Sequence, residues 1–499
     1  MKSILVVGAG RSATSLIDFL TQETAVLGWS LCVADGNPAL AASKTGSAGH
    51  VKAIGLNVED QQDCLTEVQK ADLVISLLPP HLHLHLAKAC LIANKHFLTA
   101  SYVDPAIRTL EKEIASHQLL FLYEMGLDPG IDHMSALKMI DEIRAEGGQI
   151  VSFRSHCGGL VAPESDNNPW HYKISWNTRN IVQAGKAGAR FRQNGQVTDI
   201  GYEELFDPNR IVDIPGLGNY AWYPNRDSLP YAELYSLKDI PTFIRTTLRH
   251  PEFCFGWKNI IDLKLTDETL MYPTDGMTLK DFFRKHFARN GFSAWLDKQV
   301  TERFAQTKVL LQKLQELLEV EGEVDESHRA QIQDFMMVDP QGSLKDINLE
   351  SVKAQAAATV AEQMHEANLA LKQLMFLGMD DDQTLINKGS CSALDVLQFC
   401  LEKKLLLQPG DKDMILMFHE LSYTKTSQTF HRNSSLIVKG QDALHTAMAK
   451  TVGLPLGIAA LLILQGKIKL TGLRIPVHRE IYEPVLAALA QQGISFTES

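Results

Sequence analysis

The stretch Ser3-Ile4-Leu5-Val6-Val7-Gly8-Ala9-Gly10-Arg11-Ser12-Ala13 decides the fold. Its first five residues are a largely apolar run that ends at a glycine, and helical spacing follows over residues 12–22. The pattern is GxGxxA between a strand and a helix, the phosphate-binding turn of a Rossmann unit. Gly8 permits the tight turn, Gly10 lets the backbone approach a pyrophosphate, and Ala13 allows the helix to pack closely on the strand. Arg11 and Ser12 open the helix, whose N-terminus offers free N–H groups and a positive dipole end to phosphate. A second apolar run, residues 31–34, ends at Asp35. A carboxylate there accepts hydrogen bonds from the 2′ and 3′ hydroxyls of an adenosine ribose and repels a 2′-phosphate. The expected cofactor is NAD or NADP, with NAD favoured by Asp35.

The neighbouring sequence repeats the alternation. Residues 71–78 are mostly apolar and stop at Pro79-Pro80, 81–93 has helical spacing, and 95–100 reads as a strand. Residues 105–116 read as a helix opened by proline, and 119–123 as the next strand. Continuous apolar strands separated by helices imply a parallel sheet buried on both faces. From residue 150 the texture changes: 150–154 reads as a strand and 158–170 as a long polar loop. Residues 413–421 and 426–438 read as antiparallel strands with a turn at 423–427. Between 262 and 388 the spacing predicts mostly helix, with Leu310, Leu314, Leu317 and Leu318 as a packing stripe. Residues 443–466 are helical, with Pro455 as a kink or break. The expected fold class is α/β: a Rossmann domain over 1–130 completed by the helix near 443–466, an α/β substrate domain with a helical insertion, and no repeat. The substrate domain is assigned 131–260 and 389–442, the helical domain 261–388, and 467–499 is left open.

The 499 residues exceed one ordinary domain; at about 150 residues per domain two or three are expected. The net charge of −11 opposes nucleic acid and anionic lipid as partners. Seven cysteines, odd in number and without CxxC spacing, read as reduced thiols of a cytoplasmic protein. The apolar start runs into a glycine turn rather than a signal-peptide cleavage site. The longest apolar run, 454–464, is about half the length of a membrane span and reads as a buried helix. No membrane partner is expected; a small amino-acid substrate is, and a homodimer stays open.

In a doubly wound sheet, ligands lie at the carboxyl ends of the strands. Leu77-Leu78-Pro79-Pro80 follows one such strand, so Leu78 is expected along the nucleotide path. His81, His83 and His85 alternate on a predicted helix and point about 200° apart, so they cannot converge on a metal, and none is expected. Ala100-Ser101-Tyr102 and the segment from Gly126 to His133 end successive strands and face one crevice. Asp128, held extended by Pro129, is a functional candidate, whereas Asp132 reads as a helix N-cap.

Here the residues resemble a known family. The strings Glu124-Met125-Gly126-Leu127-Asp128-Pro129-Gly130-Ile131-Asp132-His133-Met134, Cys157-Gly158-Gly159-Leu160-Val161-Ala162-Pro163-Glu164-Ser165-Asp166-Asn167-Asn168-Pro169, Tyr172-Lys173-Ile174-Ser175-Trp176 and Tyr223-Pro224-Asn225-Arg226-Asp227-Ser228 resemble the saccharopine dehydrogenase (L-glutamate-forming) family. The likeness is dense to about residue 260 and thinner from about 388. It implies interconversion of saccharopine with glutamate and 2-aminoadipate 6-semialdehyde through an imine. It also implies substrate contacts for Ser101, Tyr102, Asp128, Arg226, Thr246 and Thr247, with Cys157 near the active centre. Ala100, Ser101, Leu127 and Trp176 join the cofactor side. Family members that use NADP tend to carry arginine where this chain has Asp35.

The chemistry of the residues agrees. A dicarboxylic amino acid calls for guanidinium clamps, and Arg226, Arg245 and Arg249 are the candidates. Asp128 can hold the ammonium of the substrate, and Tyr102 or Cys157 can relay a proton or position water. Lys173 and His171 are reserves. Two rivals remain: a carboxynorspermidine dehydrogenase-type imine reductase, which needs acidic residues for a cationic arm, and a catalytically inert NAD(P)-binding regulator.

Overall fold

In a computed structural model of the chain, residues 1–46, 48–292, 295, 334–338, 344–348 and 368–499 are described. The first strand, β1 (Ser3–Val7), is followed by a single helical turn, Arg11–Ala13, and helix α1 (Thr14–Leu27). The alternation continues through β2 (Ser30–Asp35), α2 (Pro38–Thr45), β3 (Val51–Gly55), α3 (Gln61–Gln69) and β4 (Leu73–Ser76). It ends with α4 (His83–Ile92), β5 (His96–Thr99), α5 (Pro105–Arg108), α6 (Glu111–Ser116) and β6 (Leu120–Leu122). Ile4, Leu5, Val6 and Val7 are all buried, since α-helices cover both faces of the sheet. Every pairing is parallel, in the order β3-β2-β1-β4-β5-β6.

After β6 come helix α7 (Ile131–Ala145) and strand β7 (Gln149–Val161). The second sheet is built from β7, β8 (Ala189–Gln193), β9 (Gln196–Ile200), β10 (Ile211–Ile214), β11 (Gly218–Pro224) and β12 (Thr242–Arg249). It is completed by β13 (Asp413–Lys425), β14 (Gln428–Lys439) and β16 (Thr497–Glu498). β7 lies between β12 and β13, parallel to the first and antiparallel to the second. The loop expected from residue 158 therefore begins later: Gly158 and Gly159 are strand residues opposite Leu416 and Ile415. A Cβ on Gly158 would lie 2.7 Å from Leu248 Cβ, so packing rather than a turn requires the glycine.

Helix α8 (Ala447–Leu464) packs on α1 and runs through Pro455 without a break. Its Gly453 and Gly457 lie against Leu16 and Phe19, where a Cβ would come within 2.9 Å and 2.7 Å. The helix is long and apolar enough to cross a membrane, but 78% of that window is buried inside the fold. Strand β15 (Gly472–Arg474) then pairs in parallel with β6 and adds a seventh strand to the first sheet. Helix α9 (Arg479–Gln491) follows and packs on α7.

The chain divides into two compact units, residues 1–254 with 405–499, and residues 255–404. Both large sheets belong to the first. The second contains helices Leu279–Arg289 and Ala393–Lys404. It also has two strand ribbons, Met271–Pro273 with Ser390–Ser392 and Asp334–Val338 with Leu344–Asn348. Strands of three to five residues are too short to show a period, so these ribbons are not legible in a stretch whose spacing predicts mostly helix. The stripe Leu310, Leu314, Leu317 and Leu318 lies outside the described residues.

Candidate active site

The glycine turn closes the carboxyl end of β1. Gly8 has φ +105°, and a Cβ there would meet Leu77 backbone atoms at 2.9 Å. Gly10 is different: nothing lies within 4 Å of the position its Cβ would take. The first bond of the following turn is Ala13 N–H to Gly10 O, 3.1 Å, so the preceding N–H groups of the turn lack helical acceptors. An open cradle beside free N–H groups fits a pyrophosphate. Ala13 is buried, Ser12 half-buried and Arg11 exposed. Arg11 Nη1 lies 3.5 Å from Trp176 O, which brings Trp176 to this turn. Asp35 ends β2, its two oxygens accepting from Ala9 N–H and Asn37 N–H, both at 2.8 Å. Lys44 donates to Gly10 O at 2.5 Å and to Thr14 Oγ1 at 2.8 Å. In the sequence Lys44 stands out only as the first basic residue after Asp35, a candidate with Arg11 to reach a phosphate. Leu78 and Ala100 are half-buried beyond β4 and β5, while Leu127 is buried in the core.

A chamber of charged residues adjoins this edge. Arg245 on β12 is buried, and its Nη2 donates to Asp128 Oδ1 at 2.7 Å and Asp132 Oδ2 at 2.6 Å. Arg245 is thus occupied by the protein's own carboxylates. Asp132 is not the helix cap expected of it: Gly130 caps α7, and Asp132 Oδ1 accepts the Gly130 N–H at 2.6 Å from inside the first turn. Side chains alternate along β12, so Thr247 and Arg249 share the face of Arg245. Thr247 is hydrogen-bonded to Tyr223. Arg249 is 5% exposed, stacks over Tyr172 at 5.0 Å and donates to Leu248 O, while its Nε has no hydrogen-bond partner among the described residues. Arg226, in the turn after β11, lies over the Tyr102 ring at 4.8 Å. Cys157, opposite Thr247 on β7, is buried against the same cluster.

Thr246 does not join them. Its hydroxyl is on the other face of the sheet, 2.7 Å from His156 Nδ1, and His156 Nε2 meets Glu420 at 2.9 Å. The reserves anchor loops instead: Lys173 pairs with Asp411 at 2.7 Å and His171 with Asp166 at 2.6 Å. Behind the chamber, His133 bridges Tyr235 and Glu124 at 2.5 and 3.0 Å, and Tyr231 donates to Glu124 at 3.1 Å. Tyr231 also lies under the Arg245 guanidinium at 4.2 Å. No linear motif links residues this far apart in sequence.

Burial and the neighbouring Asp132 raise the Asp128 carboxyl above the usual range, against the pull of Arg245. For Asp132 burial acts upward but is outweighed by His133, Arg245 and the Gly130 N–H, which hold it low. Burial, with the two aspartates, pushes the Tyr102 hydroxyl and the Cys157 thiol up, so both stay protonated near neutral pH. Among the described residues no group of three or more His, Cys, Asp or Glu is placed to hold a metal ion.

A parallel sheet in the order 3-2-1-4-5-6, with a phosphate cradle at its edge and an ionisable chamber beside it, defines a dinucleotide-dependent oxidoreductase. Residues 4–122 match the saccharopine dehydrogenase NADP binding domain, and 126–494 the saccharopine dehydrogenase C-terminal domain. The chain is 31% identical to the saccharopine dehydrogenase [NADP(+), L-glutamate-forming] of Pyricularia oryzae, covering 100% of this chain and 98% of that one. It is also 31% identical to the alpha-aminoadipic semialdehyde synthase of Arabidopsis thaliana over 90% of this chain, but spans only 38% of that longer protein. The apo saccharopine dehydrogenase (L-Glu forming) structure from Saccharomyces cerevisiae superposes with a TM-score of 0.78 at 26% identity, covering 100% of this chain and 99% of the other. The chain belongs to the saccharopine dehydrogenase family, and its cofactor is a nicotinamide dinucleotide.

Proposed function

We propose that the chain interconverts saccharopine with L-glutamate and 2-aminoadipate 6-semialdehyde, exchanging hydride with a nicotinamide dinucleotide. The family and the names of its full-length relatives support this reaction. The observation in the chain itself is the state of the three arginines Arg226, Arg245 and Arg249. Arg245 is neutralised by Asp128 and Asp132, whereas Arg226 and Arg249 have no carboxylate partner among the described residues. Saccharopine carries three carboxylates, and guanidinium forks bind such groups with two bonds each. A carboxynorspermidine-type substrate would need acidic residues at these places.

When bound, the dinucleotide would supply the hydride acceptor for the carbon beside the bridging secondary amine. A C=N bond forms, water adds to that carbon, and the C–N bond breaks to leave aldehyde and glutamate. The amine must lose a proton before hydride can leave. Tyr102 and Cys157 are held protonated, so they can donate or orient water but not accept. Asp128 is the carboxylate of the chamber with a raised pKa, which suits it to accept that proton and return it.

Absorbance at 340 nm with saccharopine, carboxynorspermidine and simple amino acids, each with both nucleotides, tests the assignment. Turnover of saccharopine alone is expected. Tight dinucleotide binding without turnover would identify an inert regulator. Arg226→Lys is expected to raise the saccharopine KM about tenfold, because the planar two-bond contact is lost. An unaltered KM would make Arg226 a surface residue.

We further propose a preference for NAD, a point on which the chain departs from its NADP(+)-named relatives. The Asp35 oxygens each accept one backbone bond, and a carboxylate offers about four lone-pair sites, leaving room for two ribose hydroxyls. A 2′-phosphate would bring about two negative charges to that carboxylate. Lys44 donates to Gly10 and Thr14, and Arg11 is directed at Trp176. Asp35→Ala with Asn37→Arg is expected to move kcat/KM towards NADP. A wild-type kcat/KM higher with NADP would overturn the ribose role of Asp35 and leave the reaction standing. Seven free cysteines support a reducing compartment such as the cytoplasm.

A further inference from the structure

Of the three alternating histidines, two are exposed, and His83 is 2% exposed. Its ring lies between the carboxyl ends of two neighbouring strands. Nδ1 is 2.8 Å from Ser76 Oγ, at the end of β4, and Nε2 is 2.7 Å from Ser101 Oγ, just beyond β5. The register pairs Ser76 with Thr99, two residues before Ser101, so the imidazole bridges adjacent strand ends. Phe97 meets the ring edge-on at 6.5 Å. Burial, reinforced by His81 and opposed by Asp104, brings its pKa down to about 4. The ring is therefore neutral through the physiological range.

A neutral imidazole has one N–H and one bare nitrogen. The two serines must then take opposite roles. With the proton on Nε2, His83 donates to Ser101 Oγ, Ser76 donates to Nδ1, and the Ser101 hydrogen is free for a ligand. With the proton on Nδ1, Ser101 gives its hydrogen to Nε2 and presents only lone pairs. In both cases the Ser101 hydroxyl, which would otherwise rotate, is fixed by a residue set back from the crevice. Ser76 is fully buried and gives the arrangement its inner end.

We propose that His83 is a positioning residue, which through its Nε2 contact orients the Ser101 hydroxyl towards the bound substrate, with Ser76 holding the ring at its inner end. This rests on the reading above that Ser101 contacts the substrate. A double-mutant cycle in the full chain tests it, because coupled residues fail additivity. The asparagine amide reaches roughly the place of Nδ1, and that of glutamine roughly the place of Nε2. Ser101→Ala is expected to lower kcat/KM for saccharopine about tenfold, within the range of one or two lost hydrogen bonds. His83→Asn, which keeps only the Ser76 side, should lower it by a similar factor. The double variant should be no worse than Ser101→Ala alone, and His83→Gln should recover most of the loss. Thermal melting of each variant checks that the native fold is compared. Additive losses, or His83→Gln as damaging as His83→Asn, mean that His83 acts only through packing and overturn the proposal while Ser101 keeps its role. Wild-type activity in Ser101→Ala with an impaired Arg226→Lys removes Ser101 from the substrate site and this proposal with it. Wild-type activity in both removes the chamber reading as well.

Discussion

Replacing Gly10 with valine is expected to abolish dinucleotide binding while leaving the fold intact. The two halves of that expectation come from different observations. Gly10 has φ −63° and an extended ψ of −173°, a conformation open to any residue. Among the described residues no atom beyond its chain neighbours lies within 4 Å of its notional Cβ, so a Cβ meets no clash in the free protein. The same open volume lies beside the first N–H groups of the helical turn, where a pyrophosphate binds. Two methyl-bearing branches would fill it. Gly8→Val makes the contrast: φ +105° and a 2.9 Å approach to the Leu77 backbone should cost both stability and binding. Calorimetric titration with the dinucleotide and thermal melting separate the cases. Wild-type affinity in Gly10→Val would mean that the pyrophosphate lies elsewhere.

The first sheet was readable in the sequence because its strands are buried on both faces and end at polar or glycine residues. β1, β2, β4, β5 and β6 all carry that signal. β3 (Val51–Gly55) did not, since it lies at the sheet edge and Lys52 interrupts it. β15 was invisible for another reason: only three residues long, it joins the sheet from 352 residues further along the chain than β6. The hairpin β8–β9 is hard to read because the alternation of Ala189 and Phe191 with Arg190 and Arg192 spans only five residues, and its partner strand is largely exposed. β7 reads only over 150–154 in the sequence, because Gly158 and Gly159 beyond it suggest a loop, whereas Gly158 serves the close approach of Leu248.

The chamber was legible residue by residue but not as a set of pairings. Asp128, Tyr102, Arg226 and Cys157 do come together with Arg245. That Arg245 holds two aspartates, and that Arg226 and Arg249 hold none among the described residues, depends on distances across more than a hundred residues of chain. Strand parity explains the exception: adjacent residues on β12 point to opposite faces, so a contact assigned to both Thr246 and Thr247 could not be made by both side chains. Asp132 looked like a cap because capping and ion pairing call for the same carboxylate near a helix start.

Asp128→Asn is expected to lower kcat/KM for saccharopine by about 100-fold or more, since a positioned proton acceptor leaves a largely desolvated site. Asparagine keeps an oxygen that can accept from Arg245, and Asp132 still neutralises that guanidinium. The fold should therefore survive, and a linkage argument gives the sign of the stability change. A carboxyl whose folded pKa lies above its unfolded one binds its proton more tightly when folded. Its contribution is present at low pH and falls away as pH rises through the folded pKa. Near neutral pH the ionised Asp128 costs stability, and the neutral amide removes that cost. Thermal melting should show the variant as stable as the parent or more so, with its activity nearly gone. The pH profile gives a second check. If ionised Asp128 accepts the proton, wild-type kcat/KM falls on the acid side with an apparent pKa above the ordinary carboxylate range of about 4, and the variant lacks that limb. Near-wild-type activity in Asp128→Asn, or an acid limb that persists in it, would assign the proton to another group and leave Asp128 as the partner that holds Arg245 in place.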